Sequence, residues 1–254
     1  MSSDRSTKIP VNPDAYVEMA ATEDRHWWFQ ARRKIIESML ASMALPREAR
    51  ILEVGAGTGG NLVMLSRHGQ VSAMEMDAQA RELATQKTGG AFEVLAGSCP
   101  DDIPFRDQTF DLICMFDVLE HIDQDVATLA ALSKHLAAGG RILVTVPAYQ
   151  WLWSAHDVFL HHKRRYTSRQ LRRVLGAGGL HVDRVSYFNT LLLPLTAAAR
   201  LKDRITSSDK ASGVSVPPSI INASMQAIFA SERHLLRHFD LPGGVSLLGI
   251  AHAA

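Results

Sequence analysis

The spacing of apolar residues changes rhythm along the chain. From residue 15 to 43 they recur at helical spacing, with a break near Thr22. Ile35, Ile36, Met39, Leu40 and Met43 then form one apolar face. Pro46 stops that helix. From residue 50 onward short apolar runs alternate with helical stretches. Strands are predicted at 50–54, 71–76, 92–95, 110–116 and 141–146, and helices at 61–67, 79–88 and 125–136, the last closed by Gly139 and Gly140 as a C-cap. The run 110–116 is nearly continuous in apolar residues, as suits a strand buried on both faces. Such alternation predicts a doubly wound, Rossmann-like α/β sheet.

The last third is patterned differently. Residues 167–175 form a helix with Thr167 as N-cap and Gln170 three positions on. Residues 180–188 alternate as a strand, and 245–251 form a final apolar strand. Between them lie an apolar helix at about 190–202, a polar linker ending in Val216-Pro217-Pro218, and an amphipathic helix. The amphipathic helix places Ile221, Met225, Ile228, Leu235 and Phe239 on roughly one apolar face. Residues 1–14 are polar and carry prolines, the composition of a tail.

Composition narrows the function classes. A chain of 254 residues, 46% hydrophobic and 21% charged, fits one large α/β domain with a cap or insertion. A formal net charge of +1 provides no basic field for nucleic acid. The two cysteines, Cys99 and Cys114, make neither a disulfide framework nor a zinc spacing, so no metal is expected and a reducing cytoplasm is the expected location. The N-terminus lacks the apolar stretch of a signal peptide. The apolar run 190–199 is interrupted by Pro194 and is about half a membrane span. Peripheral membrane contact stays open.

The strongest chemical signal is ILEVGAGTGGN at 51–61. Gly55, Gly57 and Gly59 follow the first core strand, where a tight turn pressed against a ligand favours residues without a Cβ. With Gly60 the string also satisfies G-x-G-x-x-G. Twenty residues after Gly55 stands Glu75, placed to accept the hydroxyls of an adenosine ribose. A nicotinamide cofactor and S-adenosylmethionine both fit this much. Glu53, two residues before Gly55, suits the ammonium of a methionine better than a pyrophosphate. An oxidoreductase would need a Tyr-x-x-x-Lys or similar proton donor, and Tyr149 is followed four residues later by Trp153. A non-catalytic binding module is the other alternative.

ILEVGAGTGGN, AMEMD, GSCPDDIPF, FDLICMFDVLEHI and GGRILVTVP resemble, in order and spacing, the successive motifs of class I S-adenosylmethionine-dependent methyltransferases, in particular the ubiquinone-biosynthesis-like small-molecule group. The resemblance implies seven strands in the order 3-2-1-4-5-7-6 with strand 7 antiparallel. It divides the chain into a tail and helical lid at 1–46 and a methyltransferase domain at 47–254, with the insertion 189–244 as part of a cap. It implies that Gly55, Gly57 and Gly59 cradle the methionine portion beside Glu53, that Glu75 holds the ribose, and that Met76 packs on the adenine. Ser98 or Cys99 would line the adenine edge; the family usually has an acid where Ser98 stands. Phe116 and Asp117 end the fourth strand, where donor and acceptor meet.

Methyl transfer from a sulfonium needs alignment, exclusion of water and sometimes removal of a proton. His121, His156 and His162 are the candidate bases. Trp151, in the loop after the fifth strand, and Trp28, in HWWFQARRK at 26–34, are candidate acceptor contacts. Arg32 or Arg33 could reach the cofactor carboxylate. Arg165 and Tyr166, in HHKRRY at 161–166, could grip an anionic group on the acceptor. The apolar insertion suits a lipid-like acceptor, and dimerisation would account for it equally well.

Overall fold

A computed structural model describes residues 13–206 and 215–253. The expected tail therefore lies outside the described residues up to position 12, and much of the 203–218 linker lies outside them too. Pro13 and Asp14 belong instead to α1 (Pro13–Thr22), where proline suits the first turn because its missing N–H has no helical partner there. The second helix, α2 (Trp27–Ser42), buries Ile35, Ile36, Met39 and Leu40 as expected.

The sheet has seven strands in the order β3-β2-β1-β4-β5-β7-β6. They are β1 (Ala49–Val54), β2 (Gly69–Glu75), β3 (Val94–Ala96), β4 (Phe110–Phe116), β5 (Leu136–Pro147), β6 (Leu180–Phe188) and β7 (Ser246–Ala253). Strand β7 runs antiparallel to both β5 and β6, and the other neighbouring pairs are parallel. Helices α3 (Leu62–Leu65), α4 (Ala78–Thr88), α5 (Asp125–Ser133), α6 (Ala155–Phe159) and α7 (Ser168–Ala177) connect them. Helices α8 (Leu193–Thr206) and α9 (Ser219–Leu236) lie between β6 and β7.

The apolar run of β4 places the sheet between two cores. Leu112, Cys114 and Phe116 face the layer built by α2 and α9, while Ile113 and Met115 face the layer built by α5 and α7. Burying a leucine-sized side chain contributes roughly 1.5–3 kcal/mol, so the two-sided burial of β4 holds its C-terminal end firmly where the site begins.

Two local expectations are corrected. Gly139 and Gly140 do not cap α5, which ends at Ser133 with Lys134 as its C-cap. They make an irregularity in β5: Gly139 has φ +75°, and a Cβ on Gly140 would lie 2.7 Å from the Phe110 carbonyl oxygen of β4. The helix expected at 61–67 shrinks to the single turn of α3, because β2 already starts at Gly69. Helix α9 buries a different face from its apolar stripe. Ile221, Ile228, Leu235 and Phe239 are exposed, and Phe229, Ala230, Glu232 and Leu236 are buried, with Met225 packed beside them. Phe229 stacks on Phe188 and meets the edge of Trp27. Asn222 accepts from the Trp27 N–H at 2.9 Å and donates to the Arg25 carbonyl at 2.8 Å. Polar anchoring to α2 at one end and an aromatic anchor at the other set this rotation.

Candidate functional site

The C-terminal ends of β1, β2, β4 and β5 open onto one cavity of about 540 Å³, within the usual range for a small-molecule site. Its floor is the turn after β1. Gly55, Gly57 and Gly59 all have positive φ, between +53° and +79°. Each is constrained differently. A Cβ on Gly55 would meet Val118 at 2.6 Å, and one on Gly59 would press on Ala84 and Leu62, whereas nothing lies within 4 Å of a Cβ on Gly57. Gly55 and Gly57 thus line the cavity, and Gly59 is a packing glycine behind it.

Glu75 ends β2 and is 5% exposed. Its carboxylate accepts from the Gly57 N–H at 3.0 Å and the Asp77 N–H at 2.9 Å. Burial raises its pKa, partly offset by these backbone donors. Met76 and Ser98 line the cavity beside it together with the buried Cys99. Glu53 sits under the turn rather than on the lining. One of its oxygens accepts from Asn61 Nδ2 at 2.8 Å, and the other is buried with no hydrogen-bond partner. Burial pushes its pKa up to about 8.

Phe116 and Asp117 form the wall at the end of β4, and Asp117 has φ +57°. Its carboxylate is paired with the Arg32 guanidinium, which lies 4.6 Å from the centre of the Trp28 ring. Arg32 and Trp28 of α2 both line the cavity, and Arg32 Nε is buried without a partner. Arg33 turns away, donating to the Glu23 carbonyl at 2.6 Å.

His121, His156 and His162 share the lining with Glu120. Burial pushes His121 down to about 3 and His156 down to about 4, with the neighbouring His162 adding to both shifts. Burial also raises the Glu120 carboxyl well above its ordinary value.

Two residues expected at the acceptor stand elsewhere. Trp151 is half-exposed and stacks on Tyr149, off the lining. Tyr166 is buried and donates to Asp125 at 3.0 Å. The expected anionic grip of HHKRRY is corrected as well. Arg165 lines the cavity, but its fork is committed to Asp157, Nε to Oδ1 at 2.8 Å and Nη2 to Oδ2 at 3.0 Å, while Arg164 pairs with Asp125. Burial opposes ionisation of Asp157, but hydrogen bonds from His162 and Arg165 outweigh it and hold this carboxyl well below the usual carboxylate range.

Other lining residues carry no local motif. Tyr16 comes from α1, Glu23 from the turn just after it, and Thr196 and Arg200 from α8. Glu23 accepts from Thr58 at 2.5 Å, pairs with Lys87 at 2.7 Å, and fills the space where a Cβ on Gly60 would stand. The only sequence signal was the helical pattern that starts α1.

Sheet order and cavity together define the class, a Rossmann-like α/β protein of the S-adenosylmethionine-dependent methyltransferase type. The family model described as a methyltransferase domain matches residues 25–185, and the chain belongs to that family. A demethylmenaquinone methyltransferase from Tropheryma whipplei (strain Twist) is 27% identical over 123 residues, 48% of this chain and 48% of that protein. The chain thus aligns with about half the length of this curated relative. In fold it is similar to an S-adenosylmethionine-dependent methyltransferase from Thermotoga maritima, with TM-score 0.59 and 17% identity over 96% of this chain and 100% of the other. It is also similar to a glycopeptide N-methyltransferase complexed with S-adenosyl-L-methionine, with TM-score 0.55 and 14% identity over 87% and 94% of the two chains. S-adenosylmethionine is the cofactor of this class, and membership sets aside the nicotinamide alternative. No helix among the described residues is long and apolar enough to cross a membrane.

Proposed function

We propose that the protein transfers the methyl group of S-adenosylmethionine to a small acceptor carrying an apolar portion. The observation that carries this reading is the single cavity joining Gly57, Glu75 and Asp117 to the histidines beyond them. In it, Glu75 accepts the ribose hydroxyls, since two backbone donors already fix its carboxylate. The methionine ammonium is directed to Asn61 Oδ1, an unpartnered acceptor on a lining residue that Glu53 holds from beneath the turn, and the methionine carboxylate to Arg32. Met76, Ser98 and Cys99 border the adenine.

The acceptor heteroatom attacks the methyl carbon in line with the departing sulfur. The C–S electron pair stays on sulfur, giving a neutral thioether, and the acceptor proton passes to the His156 imidazole. The attacking atom becomes strongly acidic as its bond to carbon forms, so a weak base suffices. His121 and His162 face Glu120, whereas His156 stands on α6, apart from that carboxylate. Helices α1 and α2 with the segment 189–244 act as the cap, and Thr196 and Arg200 of α8 support this by lining the cavity. Trp27, Trp28, Phe29 and Leu160 on the lining support an acceptor with an apolar portion.

Isothermal titration with S-adenosylhomocysteine tests the reading. One site per chain is expected, weakened at least tenfold by E75A (about 1.4 kcal/mol). Absence of heat and of thermal protection in the wild-type protein would sink it.

A further inference from the structure

The Glu120 carboxylate is wholly buried, and neither of its oxygens has a hydrogen-bond partner. Leaving such a group unpaired is costly, because its lost hydration is replaced by nothing. Two imidazoles lie against it. His121 Nδ1 is buried without a partner, and its ring centre is 4.6 Å from that of His162. His162 Nε2 stands 3.9 Å from Glu120 Oε1. Among the described residues, one ligand atom from each of Glu120, His121 and His162 falls within 4.8 Å of the others.

A second layer orients this cluster. His162 Nδ1 is 2.9 Å from Asp157 Oδ1, and Asp157 is in turn clamped by the Arg165 fork and by the Ser154 N–H at 2.9 Å. A carboxylate holding one imidazole nitrogen, so that the other presents its lone pair, is the arrangement that steers histidines onto metals.

We propose that Glu120, His121 and His162 bind one first-row divalent transition metal ion, with Asp157 as the positioning residue behind His162. Two imidazoles and one carboxylate favour such an ion over magnesium or calcium, which take oxygen ligands. Bonds of about 2.0–2.1 Å in a tetrahedral site put donor atoms roughly 3.3 Å apart. The observed spans need only a small inward movement of the side chains. All three residues line the cavity, so the remaining coordination positions face the acceptor. A hydroxyl or amine bound there has its proton acidity raised, which prepares it for attack on the methyl carbon. This deepens the methyl-transfer reading, since it assigns the acceptor a metal-coordinating oxygen or nitrogen. The sequence hides the site because His162 follows His121 by 41 residues.

The test uses the full chain without a histidine tag, stripped with chelator and titrated with Co(II) in the absence of S-adenosylmethionine. One equivalent producing visible d–d bands is expected. E120Q and H162A should weaken it at least tenfold, and D157N by about 10–100-fold. H252A, at the other close histidine pair near β6 and β7, should leave the bands unchanged. S-adenosylhomocysteine binding and thermal melting of each variant report whether it is folded, and they separate failure of this site from failure of the methyl-transfer reading. Wild-type protein without d–d bands, or bands that survive in folded E120Q, would overturn the assignment. The first result would leave Glu120 and the two histidines sharing a proton instead of an ion.

Discussion

Glu53 shows how a single side chain can store a pH response. Its carboxyl is buried, has one partner and is pushed up to about 8 from 4.5. The folded protein therefore holds this proton more tightly than the unfolded chain does. Its contribution to stability is full below about pH 4.5 and is lost as pH rises to about 8. The melting temperature of the ligand-free protein should fall across that window, and E53Q should flatten that part of the profile. A wild-type profile with the same slope as E53Q would disprove the assignment. At this scale the positions of the glycine turn and Glu75 at the cavity were legible, because they follow from short spacings around one strand end. Glu23, Asn61 and the approach of His162 to Glu120 were not as readily read. The first and last of these contacts join residues far apart in sequence, and no local pattern records such contacts. Gly57 and Gly55 make a further contrast. G57A meets open space and strains only φ, costing about 1–2 kcal/mol of stability, while its methyl group intrudes on the cavity. G55A collides with Val118 and should lose more stability, as denaturant melts of the two variants would reveal.

Among the elements, those with local instructions matched expectation. Strand β4 spans the predicted 110–116, and α7 starts at a capping box in which Gln170 accepts from the Thr167 N–H at 2.8 Å. Helix α9 departs from its apolar stripe because its register is set by a partner helix. Its hydrophobic stripe predicts a face centred on Ile221 and Ile228, but hydrogen bonds from Asn222 and the Phe229 stack against Phe188 turn another face inward. F229A should cost about 3–5 kcal/mol, and I228A, on the exposed side, less than about 0.5 kcal/mol. Urea denaturation of the pair tests the rotation, and equal losses would contradict it. The glycines at 139 and 140 depart for a similar reason: their tight approach to Phe110 becomes visible only once β4 lies beside β5.

Over the whole molecule the cavity collects segments from both ends of the chain. Tyr16 of α1, Arg32 of α2 and Thr196 of α8 line it together with the strand ends. Binding of S-adenosylhomocysteine should therefore slow amide exchange in α1, α2 and α8 together. At a hundredfold excess over Kd the native state gains about 2.7 kcal/mol, or roughly a hundredfold slowing wherever exchange requires global opening. Protection confined to the glycine turn would mean that these helices do not respond to the cofactor as one cap. The seven-strand order was legible through the resemblance, since successive motifs fix which strand follows which. The closure by α1 was not, because nothing in the 13–22 stretch names its seat.

That seat is Gly60. The Glu23 carboxylate occupies the space a side chain there would need, with Thr58 and Lys87 holding it in place. The glycine turn is consequently a two-sided socket, open to the cavity at Gly57 and filled at Gly60 by Glu23 from the turn after the first helix. A boundary drawn at residue 46 divides the motifs cleanly but cuts through this socket. A chain begun at 47 would leave Lys87 without its buried acid and the back of the turn open to water, so the packed form of the turn depends on residues as far upstream as Glu23.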